Sequence, residues 1–237
     1  METDLGRFGR ARNRYFHMNE NIFRVKVFDK NQRLNVLCLG AHPDDIEIGC
    51  GGTILRLKEE MPEAQFCWVV FSGNEIRRKE AYGSATLFLD KVKAKSIDVQ
   101  CFRESYFPFE GDKIKDYFEK LAKEFSPDIV FTHYKADAHQ DHRVISDLTW
   151  NTFRHHFILE YEVPKYDGDL ETPNLYVLLE DAHVKRKIDN LLEGFPTQRQ
   201  KPWFDEETFR SILRIRGIES RSPSKYAEAF HCRKIVL

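Results

Sequence analysis

Several absences narrow the field before any motif is read. No stretch of the 237 residues approaches the ~20 consecutive apolar positions a membrane span needs, so no transmembrane helix is expected. Residues 1–20 are charged and contain no apolar core, so no secretory leader is expected either. The five cysteines, Cys38, Cys50, Cys67, Cys101 and Cys232, form no CxxC pair. An odd, scattered set points to reduced, buried thiols in a cytoplasmic protein and away from a disulfide framework. Excess charge is missing too: 37 Lys+Arg against 38 Asp+Glu leaves a net charge of −1. That balance gives no reason to expect nucleic acid or an anionic membrane as the main partner. Internal repeats and low-complexity linkers are absent, and the length suits one domain better than two.

What is present is a rhythm of strand, turn and helix that begins at Leu34. The apolar run Asn35–Leu39 reads as a buried strand, and the pattern after Ile54 as a helix through Glu60. Further strands are expected at 65–71, 97–102, 128–133 and 174–179. Helices are expected at 75–90, 113–125, onward from the second His/Asp cluster through Phe153, 182–192 and 206–216. Alternation of this kind implies a Rossmann-like α/β fold, with a mostly parallel sheet and helices on both faces. Residues 34–237 form the single expected domain, and 1–33 an N-terminal extension. Residues 22–28 alternate and suit an edge strand or an arm on another subunit, which would make a homo-oligomer. Residues 154–173 read as a loop or hairpin over the site.

Two dense clusters sit where strands hand over to helices. The first is His42-Pro43-Asp44-Asp45, after the first strand; the second is Asp137, His139, Asp141 and His142, after the fourth. If strands one and four are neighbours, the two turns converge at one crevice at the carboxyl ends of the strands. His42, His142 and Asp45 would then hold a metal ion through two imidazoles and one carboxylate, leaving a position open, which is the pattern of catalytic zinc. Iron(II) or another divalent ion also suits such N/O donors. Asp44 is the candidate base for a water, and His139 the candidate partner of a developing oxyanion. Asp141 or Asp137 would fix the tautomer of His139. Simpler readings compete. Asp44 or Asp45 could be a helix N-cap, and His133 could be packing as well as support. His17, His155, His156, His183 and His231 lack an acidic setting and read as surface or satisfied core residues.

Gly49-Cys50-Gly51-Gly52-Thr53 raises a different possibility, a non-hydrolytic Rossmann-like nucleotide-binding protein. The spacing is not G-x-G-x-x-G, and two carboxylates precede it that would repel phosphate. Glycines that permit close packing of a helix fit better.

Ala41-His42-Pro43-Asp44-Asp45 together with Asp137-x-His139-Gln140-Asp141-His142 resembles the LmbE-like, or PIG-L, family of zinc-dependent de-N-acetylases. That family also includes amidases of related sugar-thiol conjugates. The resemblance runs from about Leu34 to Phe230, and many members have proline where this chain has Gln140. It implies zinc on His42, Asp45 and His142, a general base at Asp44, and His139 at the tetrahedral intermediate with Asp141 as its orienting partner. It further implies substrate contacts from Arg77 or Arg78, and site-lining roles for Tyr226 and Glu228. The implied activity is removal of acetyl from an N-acetylamino-sugar or its conjugate, so the implied partner is a small molecule or glycan carrying an acetamido sugar.

Overall fold

The computed structural model describes residues 33–235, so the expected strand at 22–28 lies outside the described residues. β1 (Asn35–Gly40), buried from Val36 onward, runs through the middle of a seven-stranded sheet. Its partners in chain order are β2 (Gln65–Ser72), β3 (Ala94–Phe102), β4 (Ile129–His133), β5 (Phe157–Tyr161), β6 (Leu175–Leu179) and β7 (Tyr226–His231). They lie side by side as β3-β2-β1-β4-β5-β7-β6. The first five strands pair in parallel, and β7 runs antiparallel to both of its neighbours.

Side chains alternate across β1 and divide the core in two. Val36 and Cys38 face a layer built on α1 (Asp45–Glu60), α2 (Glu75–Phe88), α5 (Asp181–Gly194) and α6 (Glu206–Glu219). Leu37 and Leu39 face α3 (Gly111–Glu124) and α4 (Gln140–Thr152) through Phe118, Ile145 and Phe153. Buried strands flanked on both faces read as continuous apolar runs, which is why β1, β2 and β4 were visible in the sequence. No helix among the described residues is long and apolar enough to cross a membrane.

Two elements differ from expectation. Residues 157–161 form a strand inside the sheet, where a loop or hairpin over the site was expected. Glu160 disguises it: a fully buried carboxylate in mid-strand, matched by Trp150 Nε1 at 2.5 Å, the Lys135 N–H at 2.9 Å and Arg233 at 2.8 Å. The second difference is in α1, which starts at Asp45, so the glycine cluster lies within the helix. A Cβ on Gly49 would stand 2.2 Å from the Tyr161 ring, and one on Gly52 2.5 Å from Leu179. These glycines let α1 press against the sheet, and their neighbours leave no room for a phosphate.

Candidate active site

β1 and β4 are hydrogen-bonded neighbours, Val36 opposite Ile129 and Cys38 opposite Phe131. The chain leaves β1 toward β2 and β3 on one side and returns as β4 on the other. The gap beyond their carboxyl ends is therefore the topological switch point, where ligands bind in open α/β sheets. Both clusters open into it.

In the first turn Asp44 occupies the N-cap position of α1, yet its side chain makes no capping bond. Its φ of 96° lies in the left-handed region that non-glycine residues avoid, a strain often found at functional sites. The Asp44 carboxylate meets Arg77 Nη2 at 3.1 Å, and the same guanidinium donates to Pro43 O. Burial raises Asp44 to about 6, with Asp45 reinforcing the rise and Arg77 opposing it. Asp45 accepts the His42 N–H at 2.6 Å, which folds the turn back on itself.

Donor atoms of three residues, with both oxygens of Asp45 taking part, then stand close together in a rough triangle. His42 Nδ1 and His142 Nε2 are 3.2 Å apart, His42 Nδ1 and Asp45 Oδ2 3.5 Å, and His142 Nε2 and Asp45 Oδ1 3.5 Å. Donors bonded to a tetrahedral ion at ~2.0–2.1 Å are separated by about 3.3–3.4 Å, and these spacings lie close to that, with the two Asp45 distances falling on different oxygens. The charges agree. Burial disfavours a charged His42, yet hydrogen bonds to Asp141 and Asp45 overcome it and raise the ring to about 10. The carboxylates here thus call for a cation. His142 is lowered to about 4 by burial and by His133, which keeps its lone pair available.

Wider grouping finds two overlapping donor sets, His42–His139–His142 and Asp45–His133–His142, each within 4.8 Å and both containing His142. His133 is fully buried, stacked on His142 with ring centroids 3.9 Å apart. Its Nε2 faces the Ala41 N–H at 2.9 Å and Asp45 at 3.1 Å, so it supports the turn from beneath. His139 Nδ1 accepts the Asp141 N–H at 3.2 Å, which leaves the ring proton on Nε2. Burial and the neighbouring His42 lower its pKa, so that ring stays neutral.

Other expected roles are redistributed. Asp141 orients His42, at 3.1 Å from Nε2, and meets His139 only through its backbone N–H. Its carboxylate also accepts the Ser105 and Phe107 N–H groups. Asp137 Oδ2 stands 2.9 Å from His142 Nδ1, where it can accept a ring N–H, and is itself met by Lys165 at 3.0 Å. Nothing in the spacing pointed to Lys165, which arrives from the 154–173 segment. Of the two arginines, Arg77 reaches the site, whereas Arg78 turns away to the Val99 carbonyl at 3.2 Å. Glu228 does not line the site. It is buried behind α1, paired with Lys187 at 2.6 Å and accepting the Gly52 and Thr53 N–H groups. Tyr226 sits at the start of β7, paired with Leu179 and stacked by Arg210. Because β7 is antiparallel, that first residue lies at the carboxyl end of β5 and β6, the crevice end of the sheet, but on the far side of β5 from β4.

Residues 37–153 match the family model described as PIG-L, GlcNAc-PI de-N-acetylase. An Escherichia coli (strain K12) protein, the uncharacterized deacetylase YaiS, is 30% identical over 145 residues, 56% of this chain and 76% of that protein. The chain belongs to the PIG-L family. Among solved structures, the N,N'-diacetylchitobiose deacetylase of Pyrococcus horikoshii superimposes on this PIG-L member with a TM-score of 0.61 at 25% identity, over 87% of each chain. The 4-carboxy-2-hydroxymuconate hydratase GalB of Pseudomonas putida KT2440 reaches 0.68 at 14% identity, over 86% of this chain and 98% of its own. The shared fold therefore leaves the reaction open, and the side chains must decide it.

Proposed function

We propose that this PIG-L protein hydrolyses the N-acetyl group of an acetamido sugar or its conjugate, using zinc held by His42, Asp45 and His142. The observation that carries the reading is the close set of His42, His142 and Asp45 donors, at 3.2, 3.5 and 3.5 Å, beside an aspartate whose side chain caps no helix. Bound there, zinc would acidify water and polarise the acetamide carbonyl at neutral pH. The remaining work falls to protein side chains. Asp44, ionised above about pH 6, takes the proton of the attacking water. Arg77 holds that carboxylate in place at 3.1 Å. His139 Nε2–H donates to the carbonyl oxygen as negative charge gathers on it. Asp44 then returns its proton to the departing nitrogen, giving acetate and a free amine. The P. horikoshii relative acts on a chitobiose derivative, in keeping with an acetylated glucosamine here. The free, buried thiols of Cys38, Cys50 and Cys67 suit a reducing, cytoplasmic setting.

The test is to offer acetylated amino sugars as free sugar, disaccharide, sugar nucleotide and lipid-linked glycan, and to follow amine release. A chelator should abolish release, and added zinc should restore it. Chelator-insensitive release would refute the metal assignment, and no release from any acetamide would refute the reaction.

A further inference from the structure

The loop joining β3 to α3 is bound to the site in a way the proposed chemistry does not require. Its Ser105 N–H donates to Asp141 Oδ2 at 2.6 Å, and the Phe107 N–H to Oδ1 at 3.2 Å. Asp141 is the same carboxylate that orients His42. Ser105 holds a φ of 67°, in the left-handed region, and its carbonyl accepts from Gln140 Nε2 at 2.5 Å. Gln140 and Asp141 thus fix the loop from the start of α4. Phe107 is fully buried, with its ring 5.9 Å from that of His42.

Its neighbours face outward. Tyr106 is 40% exposed and Phe109 79%, with ring centroids 6.0 Å apart, and the Arg103 guanidinium lies 3.4 Å over the Tyr106 ring. Glu104 beside them is exposed. Asp141 contacts the Nε2 edge of His42, whereas the donor triangle lies on the Nδ1 edge. The Asp141 carboxylate and the His42 ring therefore lie between the loop's backbone and the donor atoms.

We propose that Arg103–Phe109 is a second sugar subsite, which binds the pyranose ring next to the acetylated one. The proposal rests on the deacetylase reading above. A pyranose has a flat C–H face that suits rigid aromatic rings, and a rim of hydroxyls that suits Glu104 and Arg103. An anionic lipid surface suits the loop less, because Glu104 and Glu110 stand among the aromatic rings. The preferred substrate is then an oligosaccharide or a glycosyl conjugate.

Amine release from N-acetylglucosamine and from its β-1,4-linked disaccharide, measured on the metal-loaded full chain, tests this. The wild type should favour the disaccharide. Tyr106→Ala and Phe109→Ala should lower kcat/KM for the disaccharide about tenfold more than for the monosaccharide, chiefly through KM. Glu104→Gln keeps the side chain's shape at an exposed position, so it remains readable should an alanine variant misfold, and it should shift the ratio the same way. A wild type that treats both sugars alike, or variants that slow both equally, would overturn the subsite and leave the deacetylase reading standing. Amine release from neither sugar would overturn that reading for such sugars, and the subsite with it. An unchanged ratio combined with lost sedimentation on phosphatidylcholine–phosphatidylglycerol vesicles would overturn it in favour of a lipid contact.

Discussion

The turn after β1 and the turn after β4 contain similar residues but are built on opposite plans. In the first, the backbone is strained: Asp44 sits at φ 96° and leaves its helix end uncapped by its side chain. In the second, His139 takes ordinary N-cap angles of −73° and 122°, and its ring accepts a first-turn N–H of α4. The strained turn presents a reactive carboxylate, and the regular turn braces. The bracing crosses over, because Asp141 of the second turn orients His42 of the first, and Asp45 of the first reaches His142 of the second. Neither turn makes a site alone. This is the benefit of placing them on adjacent strands at the switch point.

The sharpest way to break the comparison is to remove one residue of each kind. His142→Ala should strip the metal and reduce amine release to background. Asp44→Asn should keep the metal while slowing turnover by about 10²–10⁴, the range for a lost general base. Elemental analysis beside rates distinguishes them. Equal metal loss in both would end the division of labour. The crossing braces come next in size. Asp141→Asn and Asp137→Asn each unbind a ring held from outside the donor triangle, and each should weaken metal affinity by about 10–100-fold in a chelator competition. If Asp141→Asn bound metal like the wild type, His42 would not depend on the opposite turn.

How legible all this was depended on range. The β1, β2 and β4 strands and the three donor residues announce themselves within a few residues of sequence, through apolar runs and a His-Pro-Asp-Asp string. β5 did not, because Glu160 breaks its apolar pattern and is satisfied by Trp150 and Arg233 from other elements. The same limit applies to Asp141. Adjacent numbering suggested His139 as its partner, whereas its carboxylate reaches a ring 99 residues earlier in the chain. Glu228 fits a motif yet serves α1 from behind through Lys187, and local pattern could not distinguish lining a site from supporting its helix.

Glu47 sharpens the contrast from the side of stability. It lies one turn beyond Asp44, fully buried, with both carboxylate oxygens unpartnered. Burial raises it from 4.5 to about 8. A folded-state value above the unfolded one favours the fold fully below pH 4.5, and that contribution is lost as the pH climbs through 8. Glu47→Gln should therefore flatten the decline between those limits and gain on the order of a few kcal/mol at pH 8.5. Thermal melts from pH 5 to 9 would reveal it. A wild-type melting point that did not fall across that range would show the carboxyl to be solvated, and the first turn less closed than the second.

The smallest effect tests what the strained turn is for. Asp44 acts as a base only when ionised, so kcat/KM should climb as pH rises through about 6 and level off above it. Burial raises Asp44, and the Arg77 guanidinium 3.1 Å away opposes that rise. Arg77→Met removes the opposing charge, so the acid limb should move to higher pH by on the order of one unit. The variant then loses most at pH 6 and least on the plateau. Arg77 also donates to Pro43 O, so a looser turn would lower the plateau as well. The two causes separate cleanly: a moved limb with its plateau kept marks Arg77 as the residue that sets when the base is ready. A lowered plateau with an unmoved limb would make it a brace like those of the second turn, and the difference between the two turns would shrink to Asp44 itself.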